Sequence, residues 1–232
     1  MIKAILLDID DTLLSFSGYV KESMRTGFQK YGLPPYREEM FSTFQRINTG
    51  LWQALERGEL TFEELIDVRW NRVFRELGVE FDGHVFEKFF REALFDSAIP
   101  VEGAMELLQA LHGKYPLYAA SNGPYHQQVH RLEISGMLSY FSQLFISEEI
   151  GASKPSPAFF DACMARLNSD GAAIRPEEVL IIGDSLTSDM AGGLACGMQT
   201  CFYDPRRRGI PAEMALTWVV HDLSEIPRLL AA

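Results

Sequence analysis

Apolar positions follow two different patterns along the chain. Residues 2–7 form a nearly unbroken apolar run, which predicts a strand that is buried on both faces of a parallel sheet. From about residue 98 to the end, short apolar runs alternate with helical patterns, as is typical of a doubly wound α/β domain. We therefore predict a mostly parallel, Rossmann-like core sheet, with further strands at 116–120, 143–147, 179–182, 199–203 and 218–220.

Residues 15–97 interrupt this alternation. They contain no convincing strand and four helical patterns, at 20–31, 38–57, 61–77 and 85–94. Thr61 and Glu64 have the spacing of a capping box, in which each side chain binds the backbone N–H of the other residue. Because an all-helical block of this size cannot belong to a parallel sheet, we predict an inserted helical lobe at 15–97. The α/β core is then discontinuous and consists of residues 1–14 and 98–232.

Composition and charge limit the kinds of partner. The chain has 232 residues and a formal net charge of −11, which argues against a nucleic acid. The run Arg206–Arg208 is accordingly interpreted as a solvated loop. Without an apolar stretch of about 18 residues or a signal-peptide pattern, we expect no membrane segment and a cytoplasmic location, as a monomer or homodimer. Cys163, Cys196 and Cys201 match no metal-ligand spacing and are expected to be reduced thiols.

The first predicted strand ends in an unusual group of carboxylates. Asp8 and Asp10 are two residues apart, so on an extended backbone both side chains point to the same side. Two like charges at this distance repel each other unless a cation lies between them, and a hard ion such as Mg²⁺ prefers carboxylate oxygens. Capping of the next element by Asp11 and Thr12 is the alternative explanation. Capping does not explain why acids stand at two alternate positions, Asp8 and Asp10, directly after a buried strand. We therefore favour a metal site.

Polar clusters also follow two other predicted strands. Ser121 and Asn122 follow the second strand, and Asp184 follows the fourth, while Lys154 comes shortly after the third. Each of them alone has a structural explanation, as a turn, a solvent-exposed loop or the start of a helix. Because ligands of open parallel sheets bind at the carboxyl ends of the strands, we expect the clusters to form one site. Their combination of acids, a hydroxyl and an ammonium suits metal-assisted phosphoryl transfer.

The order of these motifs resembles that of the haloacid dehalogenase superfamily, specifically its phosphatases. The matching residues are Asp8-x-Asp10-x-Thr12, Ser121, Lys154 and Gly183-Asp184-x₄-Asp189. The resemblance covers the whole chain, since the helical insertion lies where that superfamily places its C1-type cap. The resemblance implies a phosphate monoester as the small-molecule substrate, because the dehalogenases that name the superfamily lack an acid at the position of Asp10.

The resemblance also implies a role for each matching residue. Asp8 would be the nucleophile that becomes an aspartyl phosphate, and Asp10 the general acid and then the general base. Lys154 would neutralise charge between Asp8 and the phosphate. Phosphoryl oxygens would bind Ser121 and the Asn122 amide. Mg²⁺ would be held by the Asp8 carboxylate, the Asp10 carbonyl and Asp184. Asp189 would bind the ion through a water molecule or stabilise the groups that bind it.

The helical insertion resembles the cap of bacterial 5′-nucleotidases that act on pyrimidine and noncanonical nucleoside monophosphates. The residues that carry this resemblance are Asn48, Leu51, Trp52, Glu56 and Gly58. An aromatic ring beside an amide can stack on a base and hydrogen-bond it, which makes Asn48 and Trp52 candidates for substrate specificity. The alternative is that Trp52 belongs to the core of the insertion.

Three other functions remain open at the level of the sequence. The same chemistry would serve a phosphatase acting on a sugar phosphate, phosphoglycolate or another small metabolite. A phosphomutase would use the same residues. A non-catalytic binding protein could retain the scaffold, but such proteins commonly lose the nucleophile, and Asp8 is present.

Overall fold

The computed structural model describes residues 1–231 of the chain. Residues group into two compact units. One consists of Met1–Ser15 together with the chain from Ala98 onward, and the other is Phe16–Ser97. None of the helices within residues 1–231 is both long and apolar enough to cross a membrane.

The unit at 16–97 is helical. Its helices are α1 (Phe16–Lys30), α2 (Glu38–Glu56), α3 (Phe62–Leu77) and α4 (Gly83–Phe95). Helix α3 begins with the predicted capping box: Glu64 N donates to Thr61 Oγ1 at 3.2 Å, and Thr61 N donates to Glu64 Oε2 at 2.8 Å. Trp70 is fully buried and packs against several Phe rings, which come from α2, α3 and α4. Trp70 and the Phe rings around it therefore form the core of this unit.

Within residues 1–231, six strands form the sheet of the other unit. They are β1 (Ala4–Leu7), β2 (Leu117–Ser121), β3 (Gln143–Ile146), β4 (Val179–Gly183), β5 (Gln199–Tyr203) and β6 (Trp218–Val220). Each strand is parallel to its neighbours, in the order β3-β2-β1-β4-β5-β6. The chain runs outward from β1 in both directions, so the order reverses between β1 and β4. The predicted doubly wound α/β core is confirmed.

Helices cover both faces of this sheet. They are α5 (Ala104–Leu111), α6 (Tyr125–Ile134), α7 (Ser147–Ile150), α8 (Pro157–Leu167), α9 (Ala191–Ala195) and α10 (Ile226–Ala231). Successive β1 side chains point to opposite faces: Ile5 and Leu7 join an apolar cluster that includes residues of α5 and α10. Ala4 and Leu6 join a second cluster that includes residues of α8. Because all four side chains are fully buried, β1 is the central strand that the apolar run predicts.

One local prediction is wrong: Ser147 does not end a strand but begins the short helix α7. The helix predicted at 189–196 is present, but it begins earlier, with one wide π-helical turn at Leu186–Met190, and only Ala191–Ala195 is α-helical. The Ser185 side chain caps the wide turn, because its Oγ accepts the Ser188 N–H at 3.2 Å.

Candidate active site

The predicted polar clusters lie at the carboxyl ends of neighbouring strands. Asp8 directly follows β1, and its backbone N–H donates to Ile182 O of β4 at 2.9 Å. Ser121 is the last residue of β2, and Asp184 directly follows β4. These strands are adjacent in the sheet, on both sides of the reversal in strand order. The fold therefore brings Asp8, Ser121 and Asp184 to the edge where ligands of open parallel sheets bind.

Lys154 connects two of the carboxylates inside the protein. Its Nζ lies 2.7 Å from Asp8 Oδ1 and 2.6 Å from Asp189 Oδ1, and it also donates to Ala120 O at 2.6 Å. Only 1% of Lys154 is exposed. Burial alone would lower the pKa of Lys154, but the Asp189 and Asp8 carboxylates raise it above its ordinary value. The ammonium therefore stays charged and forms ion pairs with two buried carboxylates.

Three carboxylates are close enough to share one cation. Asp8, Asp184 and Asp189 each offer an oxygen, and these oxygens lie within 4.8 Å of one another. Burial, which disfavours the charged form, raises the pKa of Asp8 to about 7. Burial, together with the Asp11 and Asp8 carboxylates, also raises the pKa of Asp184 well above its usual range. One ammonium cannot neutralise three carboxylates, and the hard oxygen donors of this cluster fit a divalent ion such as Mg²⁺.

Asp189 is held in place by the backbone as well as by Lys154. Its Oδ2 accepts the Ser185 N–H at 3.2 Å, and the residue is fully buried. A Cβ atom on Gly183 would lie 2.2 Å from Asp189 Oδ2, which is closer than any Cβ contact tolerates. Glycine at position 183 therefore allows the Asp189 carboxylate to lie against the end of β4.

Asp10 is bound by two side chains of α6 that the sequence patterns did not single out. Gln128 Nε2 donates to Asp10 Oδ2 at 2.7 Å, and Arg131 Nη1 contacts Asp10 Oδ1 at the same distance. The only available signal was their spacing, because residues three apart on a helix lie on one face. An amphipathic helix with a glutamine and an arginine is too common a pattern to indicate such a role.

The Asn122 side chain makes two hydrogen bonds to the backbone of Lys154. Its Oδ1 accepts the Lys154 N–H and its Nδ2 donates to Lys154 O, both at 2.9 Å. The Asn122 side chain thus anchors the loop that carries Lys154.

Arg206–Arg208 are exposed and lie in a loop, as interpreted from the sequence, but Arg208 also makes specific hydrogen bonds. Its Nη2 donates to Asp184 O at 2.9 Å, and its Nε donates to Asp204 Oδ1 at 3.1 Å. Asp204 is 1% exposed and also accepts the Gly209 N–H. Arg208 therefore links the loop after β5 to the residue that follows β4.

The candidate specificity residues lie on helix α2, one turn apart. Asn48 is buried, and its Oδ1 accepts a hydrogen bond from Arg69 Nη1 at 3.1 Å. Arg69 in turn forms a two-point ion pair with Glu87. Trp52 is half-buried, with its ring centre 6.0 Å from that of Phe62. Asn48 is thus part of a buried polar network within the helical unit.

A doubly wound parallel sheet with a lysine-bridged carboxylate cluster at its strand-order reversal is an arrangement that suits metal-assisted phosphoryl transfer. The family model of haloacid dehalogenase-like hydrolases matches residues 2–197, and the chain belongs to this family. It is a phosphoric monoester hydrolase.

Three relatives that match along nearly the whole chain are more than 30% identical to it. The chain is 33% identical to the HAD-hydrolase YfnB of Bacillus subtilis, over 98% of this chain and 95% of YfnB. It is 32% identical to the pyrimidine 5′-nucleotidase YjjG of Escherichia coli, over 97% of this chain and 96% of YjjG. It is 31% identical to the pyrimidine 5′-nucleotidase PynA of Streptococcus pneumoniae, over 97% of this chain and 93% of PynA. The crystal structure of magnesium-bound YfnB has a TM-score of 0.88, at 32% identity, and the match covers 100% of this chain and 99% of YfnB.

Proposed function

We propose that this protein is a Mg²⁺-dependent 5′-nucleotidase that works through an aspartyl phosphate on Asp8. The observation that carries the chemistry is the contact of Lys154 with both Asp8 and Asp189 beside Asp184. A carboxylate nucleophile needs positive charge close to it when it meets a phosphate dianion, and Lys154 together with a Mg²⁺ ion held by the carboxylates would supply that charge.

The proposed reaction has two steps that share Asp10. In the first, a carboxylate oxygen of Asp8 forms a bond to phosphorus and the bond to the leaving oxygen breaks, while Asp10 gives its proton to that oxygen. In the second, Asp10 takes a proton from water as the water oxygen attacks phosphorus and the bond to Asp8 breaks. Inorganic phosphate leaves, and both carboxyl groups return to their starting state.

The metal would be held by the Asp8 carboxylate, the Asp10 main-chain carbonyl and Asp184, with Asp189 supporting them. When bound, Mg²⁺ supplies charge neutralisation for the phosphoryl group and for the carboxylates around it. Ser121 would donate its hydroxyl hydrogen to a phosphoryl oxygen, together with the Asn122 main-chain N–H. Lys154 would lower the repulsion between Asp8 and the incoming phosphate.

The choice of a nucleotide rests on the helical unit and on the relatives. Two of the relatives that match along nearly their full length are pyrimidine 5′-nucleotidases. We propose that the helical unit is the cap that selects the substrate, that Trp52 stacks on the base and that the Asn48 amide hydrogen-bonds it. The Asn48–Arg69 hydrogen bond supports this role, because it fixes the Asn48 carbonyl and thereby orients its NH₂ group.

The test is phosphate release from a panel of monophosphates in the presence of Mg²⁺. The panel contains pyrimidine and purine nucleoside 5′-monophosphates, glucose 6-phosphate and phosphoglycolate. We expect the highest kcat/KM for a pyrimidine nucleotide, and Asp8→Asn should abolish release from every substrate. Asp161→Asn, which changes an exposed carboxylate on α8, is the matched control and should leave the rates unchanged.

Each competing function gives a different result in this panel. A higher kcat/KM for the sugar phosphate or phosphoglycolate would reject the nucleotidase. Isomerisation of a phosphorylated substrate without phosphate release would indicate a mutase. No release from any substrate by the wild-type protein would indicate a binding protein, and full activity in Asp8→Asn would refute the proposed nucleophile.

A further inference from the structure

Helix α6 holds the Asp10 carboxylate by both of its oxygens. Gln128 Nε2 lies 2.7 Å from Oδ2, and Arg131 Nη1 lies 2.7 Å from Oδ1. Arg131 Nη1 also donates to Gln128 Oε1 at 3.0 Å, so the two side chains brace each other. Gln128 is fully buried and Arg131 is 1% exposed, whereas the Asp10 side chain is 32% exposed. The carboxylate thus keeps an accessible side while its orientation is set from within the protein.

Gln128 also determines the orientation of the Ser121 hydroxyl. Gln128 Nε2 donates to Ser121 Oγ at 2.7 Å, and the Gly123 N–H donates to the same oxygen at 3.1 Å. A hydroxyl has two acceptor lone pairs and one donor hydrogen. Because two N–H groups occupy the lone pairs of Ser121, its hydrogen must point to another acceptor. The two hydrogens of one amide group therefore orient both Asp10 and Ser121.

The backbone at Gly123 makes room for this arrangement. A Cβ atom at position 123 would lie 2.4 Å from Gln128 Nε2 and 2.9 Å from its Cδ. Any side chain there would displace the Gln128 amide from Ser121 and Asp10. The turn after β2 and helix α6 are thus fitted to each other around the amide of Gln128.

We propose that Gln128 and Arg131 are positioning residues for proton transfer by Asp10, an inference that rests on the proposed function. A general acid works only when its proton lies on the path to the leaving oxygen, within hydrogen-bond reach. Two hydrogen bonds from a rigid, buried pair keep the Asp10 carboxyl in that orientation throughout both steps. Both residues act through Asp10, because their contacts are with its carboxylate.

The dependence on the leaving group tests this proposal. An alkoxide, such as the 5′ oxygen of a nucleoside, leaves only with a proton, whereas 2,4-dinitrophenolate leaves without one. We therefore compare kcat/KM for uridine 5′-monophosphate with kcat/KM for 2,4-dinitrophenyl phosphate, since kcat/KM reports the first step alone. In Gln128→Leu and Arg131→Lys, the ratio of the nucleotide value to the aryl value should fall by about 10- to 100-fold. A loss of binding at Ser121 would lower both values and leave the ratio unchanged.

The controls separate positioning from folding. Gln127→Leu, the neighbouring glutamine on α6, should keep the wild-type ratio. Gly123→Ala leaves both positioning side chains in the sequence but displaces the Gln128 amide, so it should lower the ratio in the same direction. Arg131→Lys keeps the buried charge and provides the same comparison if Gln128→Leu does not fold, as judged by circular dichroism.

Two results would overturn this inference, and a third would concern the proposed function instead. The inference is wrong if folded Gln128→Leu and Arg131→Lys both retain the wild-type ratio. It is also wrong if Gln127→Leu lowers the ratio as much as they do. If the wild-type protein hydrolyses neither ester, the proposed function itself is wrong, so the two failures are distinguishable.

Discussion

Lys154 Nζ lies 2.7 Å from Asp8 Oδ1, although 146 positions separate the two residues. The same ammonium contacts Asp189, and all three groups are buried. A buried charge is tolerated only when it is paired, so each member of this group depends on the others. The contact joins the first strand to the loop after β3 and to the wide turn after β4.

Removal of Lys154 should therefore cost stability as well as activity. In Lys154→Met, two carboxylates lose their buried partner, and we expect the free energy of unfolding to fall by about 3–5 kcal/mol. Lys114→Met, which changes an exposed lysine, should change it by less than about 1 kcal/mol. Urea unfolding of both variants, followed by circular dichroism without added metal, gives the comparison. Equal stability of the two variants would contradict the structural role of the Lys154 pairs.

Mg²⁺ should stabilise the protein through the carboxylate cluster. At a free concentration 100-fold above Kd, binding adds about 2.7 kcal/mol to the free energy of unfolding. Asp184→Asn should lose most of this stabilisation, because it removes one of the three clustered carboxylates. Thermal unfolding with and without MgCl₂ measures the effect, and Asp161→Asn serves as the control. A Tm that does not respond to Mg²⁺ in the wild-type protein would argue against the metal site.

Asp10→Asn should separate catalysis from metal binding. An amide cannot donate or accept the catalytic proton, so we expect kcat to fall by about 10²- to 10⁴-fold. The proposed metal ligand at this position is the main-chain carbonyl, so the rise in Tm on addition of Mg²⁺ should remain. Loss of that rise would show that the side chain, and not the carbonyl, binds the metal.

Alanine at two glycine positions should have opposite effects. In Gly183→Ala, the new methyl group would lie 2.2 Å from Asp189 Oδ2, so the carboxylate must move and both stability and turnover should decrease. In Gly50→Ala, on helix α2, no atom lies within 4 Å of the new methyl group. There the higher helix propensity of alanine should raise the free energy of unfolding by about 0.5–1 kcal/mol. Urea unfolding and phosphate release measure both variants, and a harmless Gly183→Ala would contradict the close packing of Asp189.

The cysteines should react slowly in the native protein. Burial raises the pKa of both Cys163 and Cys201 to about 12, and it also raises the pKa of half-buried Cys196. Since the thiolate forms only as the pH approaches the pKa, the buried pair stays neutral and unreactive at pH 8. An aromatic disulfide reagent should label at most Cys196 in the native protein and all 3 thiols in denaturant. Rapid labelling of Cys163 or Cys201 in the native protein would contradict their burial.

The sheet could be predicted because its signals are local. The apolar run before Asp8 forms a strand whose residues are all fully buried, and the alternation of strands and helices after residue 98 yields a parallel sheet. The wide turn at 186–190 could not be predicted in the same way. It depends on hydrogen bonds of the Ser185 hydroxyl and the Asp189 carboxylate to backbone N–H groups. Such polar contacts leave no periodic pattern of apolar residues in the sequence.

Most of the candidate site could also be predicted, because a polar residue directly after a buried strand is conspicuous. Asp8 and Asp184 were identified on this basis, and the structure places their carboxylates together with that of Asp189. Gln128, Arg131 and Arg208 could not be identified, because each belongs to an ordinary helix or loop sequence. Each of them contacts an acidic residue that is more than 20 positions away: Asp10 for Gln128 and Arg131, and Asp184 for Arg208.

By itself, the sequence determined which residues end the central strands and which chemistry those residue types allow. This information is local, since both acids, Asp8 and Asp10, come directly after the apolar run that forms β1. Only the tertiary structure decided which distant side chains meet these acids: Lys154 beside Asp8, and Gln128 with Arg131 on Asp10. The physical reason is that a buried charge requires a partner. Which partner lies within reach depends on how whole helices and loops pack against the sheet, and the local sequence does not determine that packing.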